Sequence, residues 1–168
     1  NDDKKKDLVT ACLSQLAAKN ATELIVAVAR VDHWKRNCNL IISELKKNPE
    51  MPASSINYYK NLLPLVYTLG PLGLLGLTKI IAQRVISFFS IVPDVIGSKS
   101  ELFKIFVKST ALACENFMLA IVAQGYGCCP MEGFNSRRIK KILNLNSDCE
   151  IVMVIAVGSP DPKGAHGS

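Results

Sequence analysis

The sequence is poor in histidine, the side chain that most often serves as metal ligand and as acid or base near neutral pH. Its two histidines, His33 and His166, sit in polar peripheral segments, and neither is assigned a role. Six cysteines are present, but Cys12, Cys38, Cys114, Cys128, Cys129 and Cys149 form no C-x-x-C pair and no zinc spacing. No metal site and no catalytic side chain is expected. The adjacent Cys128 and Cys129 are poorly placed to bridge each other, because a disulfide needs a set Cα separation and direction. Reduced thiols and a cytoplasmic protein are the expectation. Aromatic residues make up only 7%, and no stretch alternates them with basic residues, so nucleic acid is not an expected partner. The first residues, NDDKKKD, are polar and charged and show no secretory pattern. No initiating methionine stands there, and the chain is read as a trimmed product or a fragment.

What is present is apolar. Of 168 residues, 49% are hydrophobic and 20% charged, enough for one globular domain, 1–168, with a substantial core. The net charge of +6 reads first as ordinary solubility charge, and more sharply as attraction to an anionic, phosphate-bearing ligand. The spacing predicts a helix over 2–19, with Leu8, Cys12, Leu13 and Leu16 in one stripe. Glu23 to Ala29, ELIVAVA, reads as a strand buried on both faces. Asp32 is placed to cap a helix running to about Asn48, and Ser54 or Ser55 to open another.

From Leu62 to Val95 the chain is unusually greasy, yet Lys79, Arg84 and a Gly-Pro-Leu-Gly break interrupt it. A spanning helix wants about 20 apolar residues in succession, so 62–95 is read as an apolar helical insertion that covers a substrate or packs a dimer. Contact with a membrane surface is the rival reading, since Lys79 and Arg84 stand beside Phe88 and Phe89. Ser100 should cap a long helix, apolar on nearly all sides and therefore expected in the core, ending near Gln124. Lys108 and Glu115 share one of its faces: a solvated or intersubunit edge, or a polar contact to a ligand.

That helix leads through Gly125-Tyr126-Gly127 into Cys-Cys-Pro-Met-Glu-Gly-Phe, read as a tight turn. Asn135 then caps a basic helix, SRRIKKILNL, and CEIVMVIAV is a second apolar strand. A Gly- and Pro-bearing turn on a rigid support fixes backbone groups in place. The amides of Met131, Glu132 and Gly133 can serve a ligand there, or the turn is a plain helix connection; the residues alone leave both open. The order of elements suggests α/β (α+β in detail) architecture, with a small sheet and many helices.

QGYGCCPMEGFNSRRIKKILNL followed by CEIVMVIAVG resembles the C-terminal half of the FMN-dependent nitroreductase family. KSTALACENFMLA is similar to that family's long core helix, ELIVAVARVDHWKRN to its early strand and following helix, and GSPDPKGAHG to the start of its C-terminal arm. The resemblance implies a small sheet flanked by helices around a long buried core helix, in an intertwined homodimer. It implies an FMN-dependent oxidoreductase that takes hydride from NAD(P)H and reduces nitroaromatic, quinone or similar small-molecule acceptors. Pro130, Met131, Glu132 and Gly133 would lie along the flavin ring, with the Glu132 or Gly133 amide near N5. Lys108 and Ser109 would reach the flavin from the dimer interface, although the family more often has Gln where Ser109 stands. Ser14 or Gln15 falls where the family often has an Asn near the pyrimidine edge of the ring. The family's opening Arg-Ser-x-Arg phosphate segment, its Ser-x-Asn segment and the rest of its arm are absent from this sequence. The alternative is therefore a non-catalytic or truncated nitroreductase-like subunit that binds no flavin.

Overall fold

The computed structural model describes residues 2–160. The end of the arm-like segment, with His166, lies outside them. The elements in order are α1 (Asp2–Ala11), α2 (Leu16–Asn20), β1 (Glu23–Arg30), α3 (Trp34–Leu45), α4 (Ala53–Asn57), α5 (Leu63–Tyr67), α6 (Leu74–Ser87), α7 (Lys99–Ala123), β2 (Gly127–Met131), α8 (Ser136–Ile142) and β3 (Cys149–Gly158). The described residues form two compact units, divided after Arg30 and again between Ile105 and Phe106. The second unit, Val31–Ile105, extends on both sides of the expected insertion at 62–95.

In the first unit the three strands form one antiparallel sheet of order β1-β3-β2. The centre falls to β3, and its run of apolar, largely β-branched residues fits a strand covered on both faces. Between Ala27 and Val28 the register shifts: Ala27 faces Met153 while Val28 faces Ile151, which leaves Val152 as the extra residue of a bulge. The bulge resets the alternation. Ile151, Val154 and Ala156 face one core with Leu8 and Ala11 of α1, Cys12 after it, Ala18 of α2, Met131 of β2 and Ile139 of α8. Met153 and Ile155 face the other core with Cys114, Phe117 and Met118 of α7.

Several expectations need correction. The helix expected over 2–19 is two helices, because Leu13 and Ser14 take left-handed conformations, φ 56° and 54°. The Leu13 and Ser14 N–H groups donate to the carbonyls of Thr10 and Val9, closing α1 as a Schellman turn. Strand β1 is not buried on both faces: it is an edge strand, with only Ala29 fully buried. Nor is α7 a buried core rod within this chain. Leu102 and Cys114 are its buried apolar residues, while Leu112, Leu119 and Val122 are exposed. A three-stranded sheet covers one stripe of a helix, here Ala111, Cys114 and Met118, and leaves the rest outward. The cap of α7 is Ser98, not Ser100. Ser98 Oγ accepts from the Glu101 N–H, and the Glu101 carboxylate accepts from the Gly97 and Ser98 amides, a capping box. Asp32 falls in a 3-10 turn, Val31–His33, ahead of α3, which starts without a side-chain cap and ends at Leu45. Neither Ser54 nor Ser55 opens α4, which begins at Ala53 and continues through a π-helical turn, Tyr58–Leu62, into α5.

In the second unit α6 crosses the loop before α7 at Gly76. A Cβ on Gly76 would lie 2.2 Å from the Gly97 carbonyl oxygen, so the crossing needs glycine. Trp34 and Tyr67 pack edge to face with centroids 5.8 Å apart.

Candidate functional site

The residues of the Cys-Cys-Pro-Met-Glu-Gly-Phe motif divide between a strand and a turn. Gly125, at φ 83°, closes α7: its N–H donates to Val122 and that of Tyr126 to Ile121. The chain then enters β2, so Cys128, Cys129, Pro130 and Met131 are a strand and not the expected turn. Proline tolerates this place because β2 is an edge strand, where an outward-facing N–H is dispensable. Pro130 pairs with Ile155 and Met131 with Val154. Met131 is 3% exposed, so its side chain belongs to the core. Pro130 is exposed.

The turn proper is Glu132 to Asn135, and it is clamped to the end of α1. The Asn135 N–H donates to the Ala11 carbonyl at 2.8 Å. The Gln15 side-chain amide donates to the Gly133 carbonyl at 2.6 Å and to the Cys12 carbonyl at 3.0 Å. Asn135 then caps α8 as expected, its Oδ1 accepting from the Arg138 N–H at 3.0 Å. Phe134 packs against the core below. Within the turn, the Phe134 N–H donates to the Glu132 carbonyl. Among the described residues the N–H groups of Glu132 and Gly133 have no hydrogen-bond partner, and both residues are exposed. Two adjacent free donors thus stand at the end of a strand, on a turn held by its carbonyl and by the following amide.

The structure brings Gln15 to Gly133 and leaves Ser14 exposed beside it at the end of α1. Gly133 makes room for that amide: an added Cβ would stand 3.2 Å from Gln15 Nε2. Lys108 and Ser109 are exposed on α7, and no hydrogen bond or ion pair ties them to the turn among the described residues. Sequence reasoning missed the Ala11 and Cys12 carbonyls, which carry no side-chain signal. Burial raises the Cys12 thiol above its ordinary pKa. It stands under the clamp as a core residue.

A helix-flanked antiparallel sheet with a turn clamped at its edge is an α+β architecture. The nitroreductase family model matches residues 87–159, from the end of α6 through β3. MhqN of Bacillus subtilis, which carries a provisional NAD(P)H nitroreductase name, is 36% identical over 52 residues, 31% of this chain and 25% of that protein. DrgA of Synechocystis is 37% identical over 51 residues, 30% of this chain and 24% of that protein. The matched stretch thus spans about a quarter of these curated relatives. Among solved structures, a provisionally named nitroreductase of Exiguobacterium sibiricum in complex with FMN superposes with a TM-score of 0.63 at 15% identity, covering 100% of this chain and 68% of that one. A nitroreductase family protein of Streptococcus pneumoniae gives 0.59 at 16% identity, covering 98% and 70%. The fold is the nitroreductase fold, and the resemblance carried by the Cys-Cys-Pro-Met-Glu-Gly-Phe motif holds.

Proposed function

We propose that this chain is part of an FMN-dependent oxidoreductase of nitroreductase type, with NAD(P)H as reductant and a nitroaromatic, quinone or similar small molecule as acceptor. The supporting observation is the pair of unpartnered N–H groups at Glu132 and Gly133, on a turn that Gln15 and Ala11 hold still. Fixed amide donors of this kind suit the acceptor atoms along one edge of a flavin ring. FMN, when bound, supplies the two-electron chemistry. The chain positions and polarises. Pro130 sets the exit angle of the strand, Met131 anchors it in the core, and Glu132 and Gly133 present their amides. Gln15 holds the Gly133 carbonyl so that the adjoining peptide cannot turn away, and Ser14 lies beside it. Lys108 and Ser109 are assigned to a second copy's site in a homodimer. The apolar side chains left outward on α7, Leu112, Leu119 and Val122, support such a pairing, since contiguous exposed apolar surface marks interfaces. The cytoplasm is the proposed location.

The test is the visible spectrum of the full-length gene product after FMN addition and removal of free cofactor. A protein-bound flavin spectrum that bleaches with NADH or NADPH is the expected result. A colourless protein overturns the reading and leaves the non-catalytic subunit. Gln15→Ala is expected to weaken FMN retention while leaving the secondary structure unchanged by circular dichroism.

A further inference from the structure

The second compact unit contains a helix with an exposed apolar ridge. On α6 Lys79 and Gln83 turn toward neighbouring backbone, while Thr78, Arg84 and Ser87 are exposed. Lys79 Nζ donates to the carbonyls of Val66 at 3.1 Å and Thr68 at 2.7 Å, and Gln83 Nε2 donates to that of Pro93 at 3.2 Å. Burial lowers the pKa of the Lys79 ammonium. Leu77, Ile81, Val85 and Phe88 follow at helical spacing and lie exposed, the reverse of a helix packed in water. Beyond the helix the ridge continues into Phe88, Phe89 and Ile91, which are 84%, 87% and 105% exposed. An exposed apolar ridge of this kind suits a medium that is itself apolar.

Arg84 is the cation beside this ridge, and Asp94, whose Oδ1 accepts from Gln83 Nε2 at 3.4 Å, is the carboxylate that follows it. No Asp or Glu occurs from Asn61 to Pro93, and exposed Arg84 borders the stripe. The geometry does not fit a straight span: the helical runs Ala53–Tyr67 and Pro71–Ser87 meet at 74°. A 14-residue helix with a protruding Phe-Phe end and a cation at its flank suits the boundary between headgroups and acyl chains. We propose that the outer face of α6 and the segment to Ile91 dock on an anionic lipid surface. The helix lies in the plane of that surface, with Phe88, Phe89 and Ile91 inserted and Arg84 at the headgroups. This docking does not depend on flavin binding.

The test is co-sedimentation of the full-length protein with phosphatidylcholine vesicles, with and without phosphatidylglycerol. Stronger pelleting with the anionic vesicles, weakened by salt, is expected. Replacing both aromatics, Phe88→Ser with Phe89→Ser, should lower partitioning by about tenfold or more, given the apolar area withdrawn. Because both side chains are exposed, the variant should keep its circular dichroism spectrum. Arg84→Glu should abolish the preference for anionic vesicles. No pelleting, or equal pelleting with both vesicle types, overturns the proposal. So does a double-serine variant that changes the oligomeric state while its vesicle binding stays at the wild-type level, which would make this face a protein interface.

Discussion

The side-chain amide of Gln15 donates to the carbonyl of Gly133 at 2.6 Å, across 118 positions of sequence. One hydrogen bond thereby fixes the turn after β2 to the end of α1. The same amide limits what can stand at position 133, since a Cβ there would lie 3.2 Å from Gln15 Nε2.

Two substitutions should therefore be coupled. Gln15→Ala is expected to destabilise by about 1 kcal/mol through loss of its bonds. Gly133→Ala should destabilise the parent chain but cost less in the Gln15→Ala background, with a coupling of about 0.5 kcal/mol or more. Urea unfolding of the four proteins measures it. Strict additivity would mean that the two positions do not meet in solution.

The start of α7 should depend on pH in the acid range. Hydrogen bonding from the Gly97 amide, then from Ser98, together with the nearby Lys104 charge, lowers the pKa of the Glu101 carboxyl against a smaller opposing effect of burial. A depressed carboxyl pKa means that the unfolded chain binds more protons between the two values. The stabilisation is complete above the ordinary carboxylate value and is lost as pH falls through the folded one. Amide exchange at Gly97 and Ser98 should accelerate over that window, and Glu101→Gln should flatten the response.

Thiol reactivity should follow depth. Cys12, Cys38 and Cys114 are buried, and desolvation raises their pKa values. Half-buried Cys128 and Cys129 should be alkylated first at neutral pH. Mass spectrometry against time checks the order. Modification of Cys12 before Cys129 would contradict the packing of α1.

Two glycines should respond differently to alanine. At Gly76 the new Cβ would meet backbone, the Gly97 oxygen at 2.2 Å, and a loss of about 3 kcal/mol is expected. At Gly125 nothing lies within 4 Å, so only the left-handed conformation resists, at about 1 kcal/mol. Chemical denaturation of both variants distinguishes steric overlap from backbone strain.

The regular elements were legible where a side-chain pattern carried them. The apolar runs gave β1 and β3, and Asn135 marked the start of α8. Strand β2 was hidden because Gly127, Pro130 and two cysteines read as punctuation, while its strand character comes from pairing with β3. Burial misled for α7 and β1. Apolar composition says that a face avoids water, not that this chain covers it. The site was half visible: Gly133 and Gln15 were singled out separately, but their union passes through a carbonyl. No residue type at position 11 would have announced that its backbone oxygen holds Asn135.

The place of β3 sets the timing of assembly during synthesis. Both other strands pair only with this last one, so no rung of the ladder can close until nearly all of the described chain has left the ribosome. Until then β1 waits as an unpaired apolar ribbon and α7 has no sheet to rest on. Such non-local closure is slow and exposes sticky segments to neighbouring chains.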